Sequence, residues 1–98
     1  MTGPAARPKA RSERLQETDR VIVTEWRLVP GAETGWHRHA HDYVVVCLTA
    51  GRLLAETADG NVETPLRMGQ AYVRPEGVEH NIVNPGDEEF VFVEVEVK

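Results

Sequence analysis

Residues 69–84, GQAYVRPEGVEHNIVN, show the local pattern that organises most of the chain. Two short runs rich in β-branched and aromatic residues, at 70–74 and 79–84, stand on either side of the turn residues PEGV. β-Branched and aromatic side chains favour strands, whereas Pro and Gly interrupt them. This stretch therefore predicts two strands joined by a short turn.

The same alternation of short runs and turns continues from residue 20 to the end of the chain. Six further runs lie at 20–29, 34–39, 43–50, 52–58, 62–67 and 89–98. Asp59-Gly60-Asn61, between two of these runs, accepts the positive φ of a tight hairpin. Regularly spaced short strands without an amphipathic helical stripe are typical of a sandwich or barrel. We therefore expect an all-β fold.

The last run alternates two kinds of side chain with a strict period of two. One set consists of Val91, Val93, Val95 and Val97, and the other of Phe90, Phe92, Glu94 and Glu96. Because alternate residues of a strand share a face, each set occupies one side of the sheet. We expect the valines to face the core and the mixed set to lie at a rim or a dimer contact.

The composition favours one soluble domain with an acidic body. The chain has 98 residues, of which 41% are hydrophobic and 28% charged, and its formal net charge is −5. A length of this order builds a single core. An acidic body argues against a nucleic-acid surface, and no apolar run approaches the length of a membrane span. The single cysteine excludes an internal disulfide, and a cytoplasmic location is the expectation.

The basic residues are concentrated near the N-terminus. Residues 1–17, MTGPAARPKARSERLQE, are rich in Pro, Ala and charge and show no apolar periodicity of either kind. Such a segment cannot bury enough apolar surface to fix its own conformation. We therefore divide the chain into a flexible N-terminal arm, residues 1–17, and a β-barrel domain, residues 18–98.

Three of the four histidines stand at alternate positions within GWHRHAHDY, residues 35–43. His37 and His39 share a strand face, so their imidazoles can converge on one metal ion. His41 continues the alternation, but it precedes a new apolar run and is expected in the turn. His80, which follows a Pro and a Gly, is a third candidate ligand. The residues favour a site of His37, His39 and His80, with His41 as the alternative.

The fixed positions around these histidines resemble the two motifs of the cupin family. The first motif reads G-x5-H-x-H-x(3 or 4)-E-x6-G and the second G-x5-P-x-G-x2-H-x3-N. Nine of the ten fixed positions match: Gly31, His37, His39 and Gly51 in the first motif, and Gly69, Pro75, Gly77, His80 and Asn84 in the second. The resemblance covers residues 20–98 and extends to small bacterial cupins labelled as β-alanine degradation proteins.

The resemblance implies a fold and a chemistry. It implies a double-stranded β-helix, that is, a jelly-roll barrel with a divalent transition metal in its mouth, and it makes Asn84 a structural polar residue. Imidazole ligands suit Fe, Ni, Zn, Cu or Mn, so the identity of the metal stays open. The label of the similar cupins implies a small carboxylate in catabolism.

The chain departs from the family at the acidic ligand. Counting back from Gly51 places Val44 where the family has its glutamate, and valine cannot bind a metal. Tyr43 replaces the acid if the hairpin shifts by one residue, and Asp42 is nearer to it in chemistry but is expected in the turn. The alternative is that both pack or line the pocket. Three imidazoles without an acid would favour an anionic or chelating substrate.

Two functions remain open at this point, and a third possibility is a cupin fold that binds no metal at all. The first is a metal-dependent, dioxygenase-like enzyme for a small carboxylate or dicarbonyl compound, in which Tyr72 and Arg74 contact the substrate if their strand face points inward. The second is a non-catalytic module that binds or senses a small molecule or metal, because no convincing general acid or base stands near the histidines. We further expect a homodimer, because the long last strand would need a covered edge.

Overall fold

A computed structural model describes residues 6–98 and folds them into two β-sheets that enclose a common interior. Nine strands follow one another along the chain: β1 (Arg11–Glu17), β2 (Val21–Leu28), β3 (His37–Arg38), β4 (Asp42–Cys47), β5 (Gly51–Thr57), β6 (Gly60–Leu66), β7 (Ala71–Arg74), β8 (Glu79–Val83) and β9 (Phe90–Val97). Residues 6–98 contain no helix, and therefore no helix that could span a membrane. The predicted all-β fold is confirmed.

The order of the strands defines a jelly roll. One sheet has the order β1-β2-β9-β4-β7 and the other β3-β8-β5-β6, and every strand pair is antiparallel. Between β2 and β9 the chain passes from sheet to sheet at every connection except the β5–β6 hairpin. Repeated crossing between two antiparallel sheets produces the double-stranded β-helix that the motifs imply.

The eight predicted runs correspond to β2–β9, but β1 was not predicted. Arg11–Glu17 pairs along β2, with a β-bulge between Arg14 and Gln16. All seven residues of β1 are exposed, so the strand has no apolar alternation by which a sequence could indicate it. Backbone hydrogen bonds to the edge of β2 hold it instead. The predicted flexible arm is therefore wrong for Arg11–Glu17, and its residues 1–5 lie outside the described part of the chain.

The faces of β9 differ from the prediction. Phe90, Phe92 and Glu94 are buried in the interior, whereas the valine face ranges from Val91, which is buried, to Val97, which is 47% exposed. Phe92 lies level with Trp26 on β2 and Cys47 on β4, and these side chains share the interior face. Aromatic rings bury more apolar area than valines and therefore take the interior. Because alternate residues of a strand share a face, Glu94 and Glu96 lie on the same inner face as these rings.

Two of the motif residues shape the backbone around the buried end of β9. A Cβ atom on Gly51 would lie 2.9 Å from Cδ2 of Phe90, so only glycine fits there. Asn84 is 1% exposed, and its amide donates to the carbonyls of Leu28 and Glu88. The same side chain accepts a hydrogen bond from the N–H of Gly86. Asn84 is thus a structural polar residue, as the resemblance implies.

Candidate metal centre

Three histidines from two segments of the chain meet at the wall of the interior. His37 and His80 are register partners on β3 and β8, and His39 follows two residues after His37. Nε2 of His39 lies 3.1 Å from Nε2 of His37 and 3.1 Å from Nε2 of His80. His39 and His80 are only 6% and 9% exposed. The structure therefore brings together the three histidines that the sequence selects.

The spacing and the protonation state of these nitrogens suit a shared metal ion. Two ligands that each lie about 2.1 Å from an ion, at about 90° to one another, are about 3.0 Å apart. Burial, followed by the charge of His37, lowers the pKa of both His39 and His80 to about 4. Both rings are neutral at pH 7, so their lone pairs are free to bind a cation. The three residues fit a divalent transition metal.

The orientation of His37 is fixed by a backbone carbonyl. Its Nδ1 lies 2.8 Å from the carbonyl oxygen of Gly35, a distance at which Nδ1–H donates to that oxygen. Protonation at Nδ1 leaves the lone pair on Nε2, the atom that faces the other histidines. Gly35 has a φ of 89°, which a residue with a Cβ rarely adopts.

Tyr43 supports His39 from the neighbouring sheet. The two rings stack with their centroids 3.7 Å apart and an angle of 17° between their planes. Tyr43 is 2% exposed, and burial raises the pKa of its hydroxyl. On β4 the buried residues alternate with half-buried ones, so Tyr43 and Val45 share the inner face and Val44 lies on the other face. Tyr43 thus packs against His39 and lines the cavity, which is the alternative role that the sequence left open for it.

The two other candidates for a fourth ligand have separate environments. The carboxylate of Asp42 accepts a hydrogen bond of 2.8 Å from the backbone N–H of Glu76 and is absent from the cavity lining. The prediction of Asp42 as a ligand is therefore wrong, because its carboxylate caps the β7–β8 turn. His41 does line the cavity, and its Nδ1 lies 3.5 Å from Oε2 of Glu96.

Two carboxylates that the sequence did not indicate as site residues lie beside the histidines. A carboxylate oxygen of Glu94, one of Glu96 and a ring nitrogen of His39 all lie within 4.8 Å of one another. Glu94 is 8% exposed, and burial, with a smaller contribution from Glu96, raises its pKa to about 8. The alternation of β9 contained the signal, since Glu94 and Glu96 share the face of Phe90 and Phe92.

Tyr72 and Arg74 complete the opposite wall of the cavity. Both line a space of about 470 Å³, a size typical of small-molecule sites. The guanidinium carbon of Arg74 lies 4.6 Å from the centroid of the Tyr72 ring, and Arg74 is exposed where Tyr72 is half-buried. Burial raises the pKa of Tyr72 to about 12. A fixed positive charge thus stands at the rim of the cavity.

The fold and the histidine cluster agree with the comparisons to known proteins. Residues 24–96 match the model of the cupin domain family, and the chain belongs to that family. It is 56% identical over 94 residues to the beta-alanine degradation protein BauB of Pseudomonas aeruginosa, with 96% of this chain and 99% of that protein covered. The resemblance seen in the motifs is confirmed.

Solved structures show the same architecture. A cupin domain of Bordetella pertussis Tohama I matches with a TM-score of 0.94 and 57% identity, over 97% of this chain and 99% of the other. A protein with a double-stranded β-helix domain from Klebsiella pneumoniae matches with a TM-score of 0.77 and 25% identity, over 96% and 81%. The double-stranded β-helix is thus shared over nearly the whole chain.

Proposed function

We propose that the protein is a metal-dependent enzyme that acts on a small carboxylate or dicarbonyl metabolite in an oxygenase-type reaction. The observation that carries this proposal is the cluster of three histidines, with their Nε2 atoms about 3.1 Å apart in succession, inside a cavity that a metabolite can enter. His37, His39 and His80 would hold the metal. The name of the relative from Pseudomonas aeruginosa, which refers to β-alanine degradation, supports a small carboxylate as the substrate.

The bound metal would supply Lewis acidity and, if it is redox-active, the capacity to activate oxygen. Fe, Ni, Zn, Cu and Mn all bind imidazole. With only three neutral protein ligands, the positive charge of the ion would attract an anionic, chelating substrate. The fixed charge of Arg74 at the rim of the cavity suits a second oxygen anion of the same molecule.

Glu94 gives the cavity a group that can accept a proton. Its carboxylate lies beside His39 and Glu96, and Glu94 is buried on the face of β9 that it shares with Phe92, opposite its register partner Val45 on β4. In the metal-free protein, the raised pKa of about 8 keeps Glu94 protonated at neutral pH. A cation nearby lowers the pKa of a carboxylic acid, so Glu94 would then be ready to take a proton from the substrate.

The presence of Glu94 is the reason to favour an enzyme over the second candidate, a module that only binds a small molecule or metal. That alternative depended on the lack of a general acid or base, and the buried carboxyl of Glu94 beside His39 would supply one. The two candidates differ in a measurable way. A binding module would be stabilised by a small carboxylate without converting it.

Oxygen uptake tests the proposed reaction. The protein is loaded anaerobically with Fe(II) and then given oxygen and a panel of small carboxylates and dicarbonyl compounds, including β-alanine. We expect at least one compound to consume oxygen with the wild type. Its Glu94→Gln variant should bind the same amount of iron but turn over at least about tenfold more slowly. If no compound consumes oxygen, the oxygenase proposal is wrong.

A further inference from the structure

A chain of hydrogen bonds links the N-terminal segment to His37. The guanidinium of Arg7 donates to both carboxylate oxygens of Glu56, at 2.9 and 3.0 Å, and to Glu33 at 3.1 Å. Asn81 lies between these carboxylates and the histidine. Its Nδ2 donates at 2.8 Å to Glu33 and at 2.8 Å to Glu56.

The other end of the Asn81 amide reaches the residue that orients His37. Oδ1 of Asn81 accepts a hydrogen bond of 2.8 Å from the N–H of Gly35, whose carbonyl receives Nδ1–H of His37. Because Nδ2 faces two carboxylates and Oδ1 faces an N–H, only one orientation of the amide satisfies all partners. Asn81 is 3% exposed, so water cannot readily replace these partners.

Arg7 is the cation that makes this arrangement stable. Glu33 and Glu56 approach the same amide nitrogen, and two carboxylates so close would repel one another if no positive charge stood between them. The backbone around Arg7 is fixed as well. Pro8 accepts a hydrogen bond from the N–H of Glu33, and the N–H of Ala10 donates to the carbonyl of Glu33.

We propose that Arg7 is a positioning residue for the metal site, and that it acts through Glu33, Glu56 and Asn81 on the Gly35 carbonyl that sets the tautomer of His37. The N-terminal segment therefore belongs to the site, although it lies outside the cavity. The predicted change in metal affinity rests on the proposed metal-binding role of the histidines. The prediction for the His37 ring applies to the metal-free protein.

The first test is a ¹H–¹⁵N NMR spectrum of the histidine rings in metal-free protein at neutral pH. The His37 signals are assigned by their loss in a His37→Gln variant. We expect wild-type His37 to carry its proton on Nδ1 and the Arg7→Met variant to populate the other tautomer as well. Arg52→Met is the matched control. Arg52 pairs with Glu63 on the four-stranded sheet that also carries Glu56 and Asn81, but it takes no part in the chain of hydrogen bonds from Arg7 to His37. Identical His37 signals in the wild type and Arg7→Met would overturn the inference.

The second test uses Co(II) as the probe, with its affinity measured by competition against a chelator. Loss of the groups that orient a metal-binding histidine typically costs 10–100-fold in affinity, so we expect about a tenfold loss for Arg7→Met and none for Arg52→Met. Equal losses in the two variants would also overturn the inference. If wild-type protein binds no Co(II), the proposed metal site fails, and the NMR spectrum still decides the role of Arg7.

Discussion

Each histidine of the candidate metal centre has a different kind of support. His37 is oriented by the Gly35 carbonyl, and His39 by the stacked ring of Tyr43. His80 is held by its place on β8, where it faces His37 across the strand pair. The supports come from both sheets and from a loop, so the position of the three nitrogens depends on the whole barrel.

The buried histidines make the metal-free protein sensitive to acid. The pKa of His39 and His80 is about 4 in the folded protein and 6.5 in the unfolded chain, so the unfolded chain takes up protons first as the pH falls. The stability from these groups is complete above about pH 6.5 and is lost as the pH falls towards 4. Urea unfolding across this range should show the loss. It should be smaller in His80→Gln, and equal pH dependence in both proteins would contradict the account.

Glu94 should act in the opposite direction. Its pKa rises from 4.5 in the unfolded chain to about 8 in the folded metal-free protein, so the folded state keeps a proton that the unfolded chain releases. Stability is therefore lost as the pH rises from 4.5 to 8. Glu94→Gln removes this loss, and we expect it to be more stable than the wild type at pH 8 by a few kcal/mol.

Urea unfolding at several pH values measures the difference. Glu63→Gln is the control, because Glu63 forms an exposed pair with Arg52 outside the cavity. The control should follow the wild type across the range. Parallel curves for Glu94→Gln and the wild type would show that Glu94 is not buried as the structure has it.

At the scale of elements, the first residues of β5 and β9 fit each other closely. Gly51 begins β5, and Phe90 begins β9 with only 1% exposure. The aromatic ring therefore has little room to move away from an added methyl group. We expect Gly51→Ala to lower the free energy of unfolding by about 1–3 kcal/mol, the usual cost of overpacking.

A second substitution can test whether this contact is the cause. Phe90→Leu removes the ring edge that a Cβ at residue 51 would meet at 2.9 Å. The double variant should therefore lose less stability than the sum of the two single variants, as measured by chemical unfolding. Strict additivity would place the cost of Gly51→Ala in the backbone and not in the contact with Phe90.

The sequence predicted β2–β9 because turn residues separate the runs, but it could not predict β1 or the inward face of β9. A fully exposed strand such as Arg11–Glu17 has no apolar face to indicate it. Period two shows which residues share a face, not which face is buried. Glu94 and Glu96 were therefore missed, whereas His37, His39 and His80 were found because their spacing follows from strand geometry and the motif.

At the scale of the whole molecule, the outward valines leave an apolar surface on the five-stranded sheet. Val73, Val44, Val95 and Val23 lie side by side across β7, β4, β9 and β2, and Val46 and Val93 form the next row. Val73 is 65% exposed. The homodimer expected from the sequence stays a prediction, and this face, more than a strand edge, is where a second copy would pack.

Light scattering after size exclusion tests the dimer. We expect the wild type to run as a dimer and Val73→Glu to run as a monomer, because burying a charge in an apolar interface is costly. Val62→Glu is the control, since Val62 is similarly exposed at 59% but lies on the other sheet. A monomeric wild type, or a Val73→Glu variant that stays dimeric, would contradict the prediction.

The central claim is that His37, His39 and His80 form one metal site. The most direct measurement is the metal content per chain of protein purified without an affinity tag, by elemental analysis, for the wild type, His80→Ala and His41→Ala. The account predicts close to one divalent transition metal per chain in the wild type and in His41→Ala, and almost none in His80→Ala. A wild type without stoichiometric metal, or a His80→Ala variant that retains it, would contradict the account.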